Sequence, residues 1–165
     1  MRCRVCGRPL TNHQSIQRGM GSECARHSPP EHLANHPSVK VQKWVESAYS
    51  SARSAYLLYK KRQYFESLYL AHLAIEKMLK TLMIIETGQF DYGHNLNIFI
   101  SKISLTQNMP EWMRDVCARM NQFQTAGRYP DEKLDLLRTI EPQFVQTEIK
   151  NMEKVLMWLS EQTKQ

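Results

Sequence analysis

The chain has 165 residues, 42% hydrophobic and 23% charged, which is enough apolar material for one medium globular domain plus a small module. No apolar run approaches the ~20 residues of a membrane-spanning helix, and the N-terminal MRCRVCGRPL lacks the apolar stretch of a secretory signal, so a cytoplasmic protein with no membrane association is expected. The net charge is +6, but it is unevenly placed: residues 1–28 hold Arg2, Arg4, Arg8, Arg18 and Arg26 against Glu23 alone, whereas the rest of the chain is nearly balanced.

The first segment, residues 1–28, carries three of the four cysteines: Cys3, Cys6 and Cys24. Their clustering, in a chain without an export signal, points to metal rather than to disulfides. Cys3-Arg-Val-Cys6 is a CxxC turn that can aim two sulfurs at one ion, and Gly7 tolerates the tight backbone that follows. After seventeen intervening residues comes Cys24-Ala-Arg-His27, a CxxH. Structural zinc takes four sulfur or nitrogen ligands in a tetrahedron, and Cys3, Cys6, Cys24 and His27 are the candidate set. His13, His32 and water are rivals for the fourth position. So short a segment cannot bury enough apolar surface to fold alone, so metal binding would supply most of its folding energy. Its arginines either attract nucleic acid or another polyanion, or simply keep a module with little core in solution.

Residues 29–38 include Pro29, Pro30 and Pro37 and read as a semi-rigid linker, with the second domain spanning 39–165. From there the apolar period is helical. Val41, Trp44, Val45, Ala48, Tyr49, Ala52, Tyr56 and Tyr59 mark one face of a first long helix. A second is expected from about Gln63 to Glu86, apolar nearly all round and therefore central, with Gly88 as its stop. Leu96, Phe99, Ile100 and Ile103 mark a short third helix. A fourth begins after Pro110, with Trp112, Val116, Cys117, Met120 and Phe123 inward and Gly127 as a left-handed cap. Tyr129–Pro130 opens a loop, and Pro142 starts a fifth helix with Val145, Ile149, Met152, Leu156 and Leu159 inward. No segment alternates with period two, so the body is expected to be an all-α, up-and-down bundle of four or five helices.

Two resemblances follow from these residues. CRVCGRPLTNHQSIQRGMGSEC is similar to a small zinc-finger family with a CxxCGRxLT start and a Gly-x-Gly-x-x-Cys finish, here Gly19, Gly21 and Cys24. The body contains Ala74-Ile-Glu76-Lys77-Met-Leu79-Lys80, then Gly93-His94-Asn95-Leu96, then Arg128-Tyr129-Pro130. In that order and separation, over about residues 40–162, they resemble the HEPN family. That resemblance implies an antiparallel helical bundle, usually a homodimer, often the partner of a minimal nucleotidyltransferase in toxin–antitoxin or nucleotide-binding pairs. Other members are metal-independent ribonucleases that carry Arg, four to six residues, then His on a helix at the dimer interface.

The helical body lacks that Arg/His pair: Arg119 is followed by Met-Asn-Gln-Phe-Gln-Thr-Ala. The spacings Arg8 to His13 and Arg26 to His32 fall in the first module or the linker. No catalytic residue is assigned, and a non-catalytic binding or regulatory role is expected. Lys80, His94, Arg128 and Tyr129 are the candidate nucleotide- or phosphate-binding residues, and RNA or DNA at the basic first module is a candidate partner. The alternative is a ribonuclease toxin with a degenerate site drawn from Arg119 or Arg128 and His72 or His94. RGMGSEC lacks the lysine and the flanking elements of a phosphate-binding loop.

Overall fold

The computed structural model describes residues 1–164, and among these the structure is all-α. Three short helices come first: α1 (His13–Arg18), α2 (Ser22–Arg26) and α3 (Glu31–Ala34). The bundle follows as α4 (Val39–Lys60), α5 (Tyr64–Thr87), α6 (Leu96–Lys102), α7 (Glu111–Ala126), α8 (Pro130–Leu137) and α9 (Pro142–Glu161). No helix among the described residues is long and apolar enough to cross a membrane.

Helix α5 packs against α4, α6, α7, α8 and α9, as an apolar face that runs nearly all round requires. Leu68, Ala71, Ala74, Ile75, Met78, Leu79 and Leu82 are fully enclosed. It ends at Gly88, whose φ of 77° lets its N–H close on the Ile84 carbonyl. The connection from α4 is only Lys61–Gln63, so the two helices form an antiparallel hairpin. Ser38 caps α4, and Asn95 caps α6 by accepting from the N–H groups of Asn97 and Ile98.

Four expectations need correction. The 29–38 segment is more than a linker: Pro30 precedes the single-turn α3, and Leu33 is fully buried in the bundle core. Trp112 is 43% exposed, because the buried stripe of α7 is centred on Met113, Val116, Cys117, Met120 and Phe123 and leaves Trp112 at its edge. Gly127 has φ −62° and is not a left-handed cap. A Cβ there would sit 2.7 Å from two ring carbons of Tyr69, so any side chain would press that ring aside where α7 closes on α5. Residues after Tyr129 form α8 rather than a loop: Pro130 at its first position and Asp131 and Glu132 in its first turn favour a helix start.

Candidate metal centre

Residues 2–9 fold back on themselves. Arg2 and Pro9 form an antiparallel bridge, the Cys3 N–H donates to Arg8 O at 2.8 Å, and the Gly7 N–H donates to Cys3 O at 2.9 Å. Gly7 takes φ 71° at the turn, a value that an L side chain resists. The Arg4 N–H donates to Gly19 O at 3.0 Å and ties this hairpin to the end of α1. Asn12 caps α1 through its side chain, and Gly19 ends it in the left-handed region, so the Gly19–Gly21 turn brings α2 and Cys24 against the hairpin. The three sulfurs of Cys3, Cys6 and Cys24 then lie within 4.8 Å of one another.

Their surroundings favour thiolate at one corner first. Backbone N–H groups of Cys6, Gly21 and Val5 direct hydrogen bonds at Cys3 and lower its pKa to about 6. Burial and then the neighbouring Cys6 and Cys3 raise Cys24 to about 12. Three sulfurs this close resist ionising together unless a cation joins them, and a soft or borderline dication is the group this donor set fits.

His27 does not join the three sulfurs. It is 2% exposed, its Nδ1 lies 2.9 Å from Glu23 O, and its Nε2 lies 2.8 Å from Glu153 Oε1. Both nitrogens therefore face oxygen acceptors. Its rivals are elsewhere too: His13 is exposed at the start of α1, and His32 Nε2 sits by Ser160 O at 3.1 Å and Thr163 Oγ1 at 2.9 Å. His27 instead helps lock the knuckle to the bundle. Arg26 pairs with Glu153 at 3.6 Å, Arg53 Nη1 donates to His27 O at 2.8 Å, and the Tyr56 hydroxyl donates to Glu23. The Tyr56 hydroxyl is raised to about 12, by burial first and then by that carboxylate. Between the knuckle and α4 lies a cleft of about 420 Å³, whose walls include all three cysteines together with Leu10, Tyr56 and Leu57.

A second polar group is buried in the bundle. Glu76 is 4% exposed and accepts from Lys80 Nζ at 2.9 Å, and His94 Nδ1 lies 3.2 Å from both of its oxygens. His72 Nε2 donates to His94 O at 3.1 Å, and its Nδ1 is buried with no partner, 3.7 Å from Glu76. Burial lowers the His72 pKa to about 4, so the ring is neutral near pH 7.

Of the candidate phosphate-binding residues, Lys80 is a correction. It is 5% exposed, ion-paired with Glu76 and flanked by the rings of Phe90 and Phe99, so it is not available to a surface phosphate. His94 is half-exposed, while Arg128 and Tyr129 are exposed at the α7–α8 junction. Among the described residues no hydrogen bond or ion pair joins Arg128 or Tyr129 to the Glu76 group, or Arg119 or Arg128 to His72 or His94. Arg119 pairs instead with the buried Glu148 at 2.9 Å. The roles of Glu23, Arg53 and Glu153 have no local sequence signal, since each sits on a helix where a charged residue usually faces solvent, and Tyr56 reads only as part of an apolar helix face.

The HEPN domain model matches residues 41–162. A model for a family of unknown function, DUF6011, matches residues 1–28. The crystal structure of TT1696 from Thermus thermophilus is similar in fold, with a TM-score of 0.64 at 20% identity, over 73% of this chain and 96% of that one. No curated protein matches the chain. With the family model covering most of its length and the helical architecture in agreement, the chain belongs to the HEPN domain family.

Proposed function

We propose that the chain is a non-catalytic HEPN-type binding protein whose zinc-ordered knuckle engages a nucleic acid. The observation that carries this reading is one of contrast. All five arginines of residues 1–28 are exposed, whereas His72 and Lys80 are buried and Arg119 is held by Glu148. Three cysteine sulfurs suit zinc, which would hold the segment that displays the arginines. A homodimer built through the bundle and a nucleotidyltransferase-like protein partner are what family membership adds to the reading.

The test is the affinity of the zinc-loaded protein for single-stranded RNA and duplex DNA across a salt series. Binding is expected to weaken steeply with salt, and Arg4→Ala with Arg18→Ala is expected to lower the slope by about one unit per arginine. Absence of salt-sensitive binding overturns the nucleic-acid reading.

One observation favours a second reading. Glu76 orients the half-exposed His94 through Nδ1, an arrangement that suits acid–base chemistry at the other ring nitrogen. A degenerate ribonuclease site would cleave RNA without added metal, and His94→Ala would abolish that cleavage. RNA that stays intact under prolonged incubation removes this reading.

A further inference from the structure

We infer that the metal centre of the knuckle keeps one coordination position open to the cleft beside α4, and that this position accepts a small exogenous thiolate carrying a carboxylate. The inference rests on the three cysteines binding a metal, as proposed above.

Among the described residues, Cys3, Cys6 and Cys24 form a group that no fourth histidine, cysteine or carboxylate joins. The side chains nearest in sequence have other work. Both nitrogens of His27 face oxygens of Glu23 and Glu153, and the Glu23 carboxylate accepts from Tyr56 and faces Arg8 at 3.9 Å. Three protein ligands plus an exchangeable one is the arrangement of an open metal site, as distinct from a closed structural one.

The cleft gives that open position a route to solvent and a shape. Its volume of about 420 Å³ is in the range of small-molecule sites. Cys6 is exposed and Cys24 half-buried, so the sulfurs form part of the cleft wall. Leu10 and Leu57 supply apolar surface for a short carbon chain, and Arg8 and Arg53 also line the space.

Charge and softness select the ligand class. Three thiolates around a dication would leave one net negative charge, and the cleft that the sulfurs line also carries the cations Arg8 and Arg53, so a further anionic donor is tolerated there. A sulfur donor matches the softness of the existing set. Arg8, 70% exposed at its side chain, can meet a carboxylate carried on the same molecule. On binding, the thiol sulfur replaces a metal-bound water, and the thiol proton leaves to solvent. The metal keeps its oxidation state.

The test uses the full chain loaded with cobalt(II), whose visible bands report the number and type of its ligands. Titration with 3-mercaptopropionate is expected to shift those bands and to strengthen the sulfur-to-cobalt charge-transfer absorbance. 2-Mercaptoethanol is expected to bind roughly tenfold more weakly, for want of the carboxylate contact, and propionate to leave the spectrum unchanged. Leu57→Trp, which fills the cleft from an exposed position on α4, is expected to retain cobalt and lose the thiol response. His27→Ala is expected to leave the thiol-free spectrum as it was. Cobalt that binds with bands indifferent to thiol, or bands that change with His27→Ala, overturns the inference alone. Failure of the chain to bind cobalt removes the metal reading on which it stands.

Discussion

The bundle and the knuckle are held by different physics. Every residue of the continuous buried apolar cluster lies at Leu33 or beyond, whereas residues 1–28 bury only Cys3, Met20 and His27. The bundle is a hydrophobic core with a few enclosed polar groups. The knuckle is a set of backbone hydrogen bonds arranged around three sulfurs and fastened to α4 and α9 by Glu23, Arg53, Tyr56 and Glu153. The same chain therefore contains a region that burial makes stable and a region with little buried apolar surface of its own, and the second uses the first as its anchor.

Metal removal is the largest way to break that comparison. A metal ion that orders a small module on binding supplies on the order of 10 kcal/mol of its folding energy. Chelation, or Cys24→Ser, is expected to expose residues 1–28 to proteolysis and fast amide exchange while the thermal transition of the bundle survives. Loss of both transitions together would show that the two regions are one cooperative unit. The reverse experiment is Leu79→Ala at a fully buried position of α5. It is expected to cost the bundle about 2–5 kcal/mol in denaturant unfolding and to leave metal content unchanged.

A smaller effect sharpens the description of the bundle's polar interior. The pKa of His72 is lowered from 6.5 to about 4, chiefly by burial, so between these values the unfolded chain binds more protons than the folded one. Stability conferred by the neutral ring is complete above pH 6.5 and is lost as pH falls toward 4, by about 3 kcal/mol in all. The difference in unfolding free energy between the wild type and His72→Gln, measured at each pH, isolates this slope from the cysteines. A difference that does not vary with pH would mean that His72 is not enclosed as described. The smallest expected effect is at Gly127. Gly127→Ala is expected to cost about 1–3 kcal/mol, because the added methyl meets the Tyr69 ring, and the cost should shrink when Tyr69→Leu is also present.

Much of this organisation is legible in the sequence, and the reasons are local. The central helix is expected at about Gln63 to Glu86 and is found at Tyr64–Thr87, because apolar periodicity and Gly88 are both short-range signals. The grouping of Cys3 with Cys6 follows from a turn, and Gly19 and Gly21 bring Cys24 to them. What sequence reasoning misplaces is set over distance. His27 reads as a ligand from its CxxH spacing, but its partner Glu153 lies 126 positions away. Lys80 reads as a phosphate-binding candidate, but it is enclosed together with Glu76, four positions before it on the same helix. Tyr129–Pro130 suggests the opening of a loop, yet proline and two acidic residues make a competent helix start. Trp112 reads as inward from its spacing to Val116, but Met113 lies nearer the centre of the buried stripe and Trp112 at its edge.

Three sulfurs sharing one ion would order residues 1–28 and set the chemistry of the cleft beside α4. Native mass spectrometry of the full chain, purified without added chelator, measures this directly. The predicted result is a single zinc per chain, with none on the Cys24→Ser variant. A metal-free chain whose Cys3, Cys6 and Cys24 are all alkylated under native conditions would contradict it.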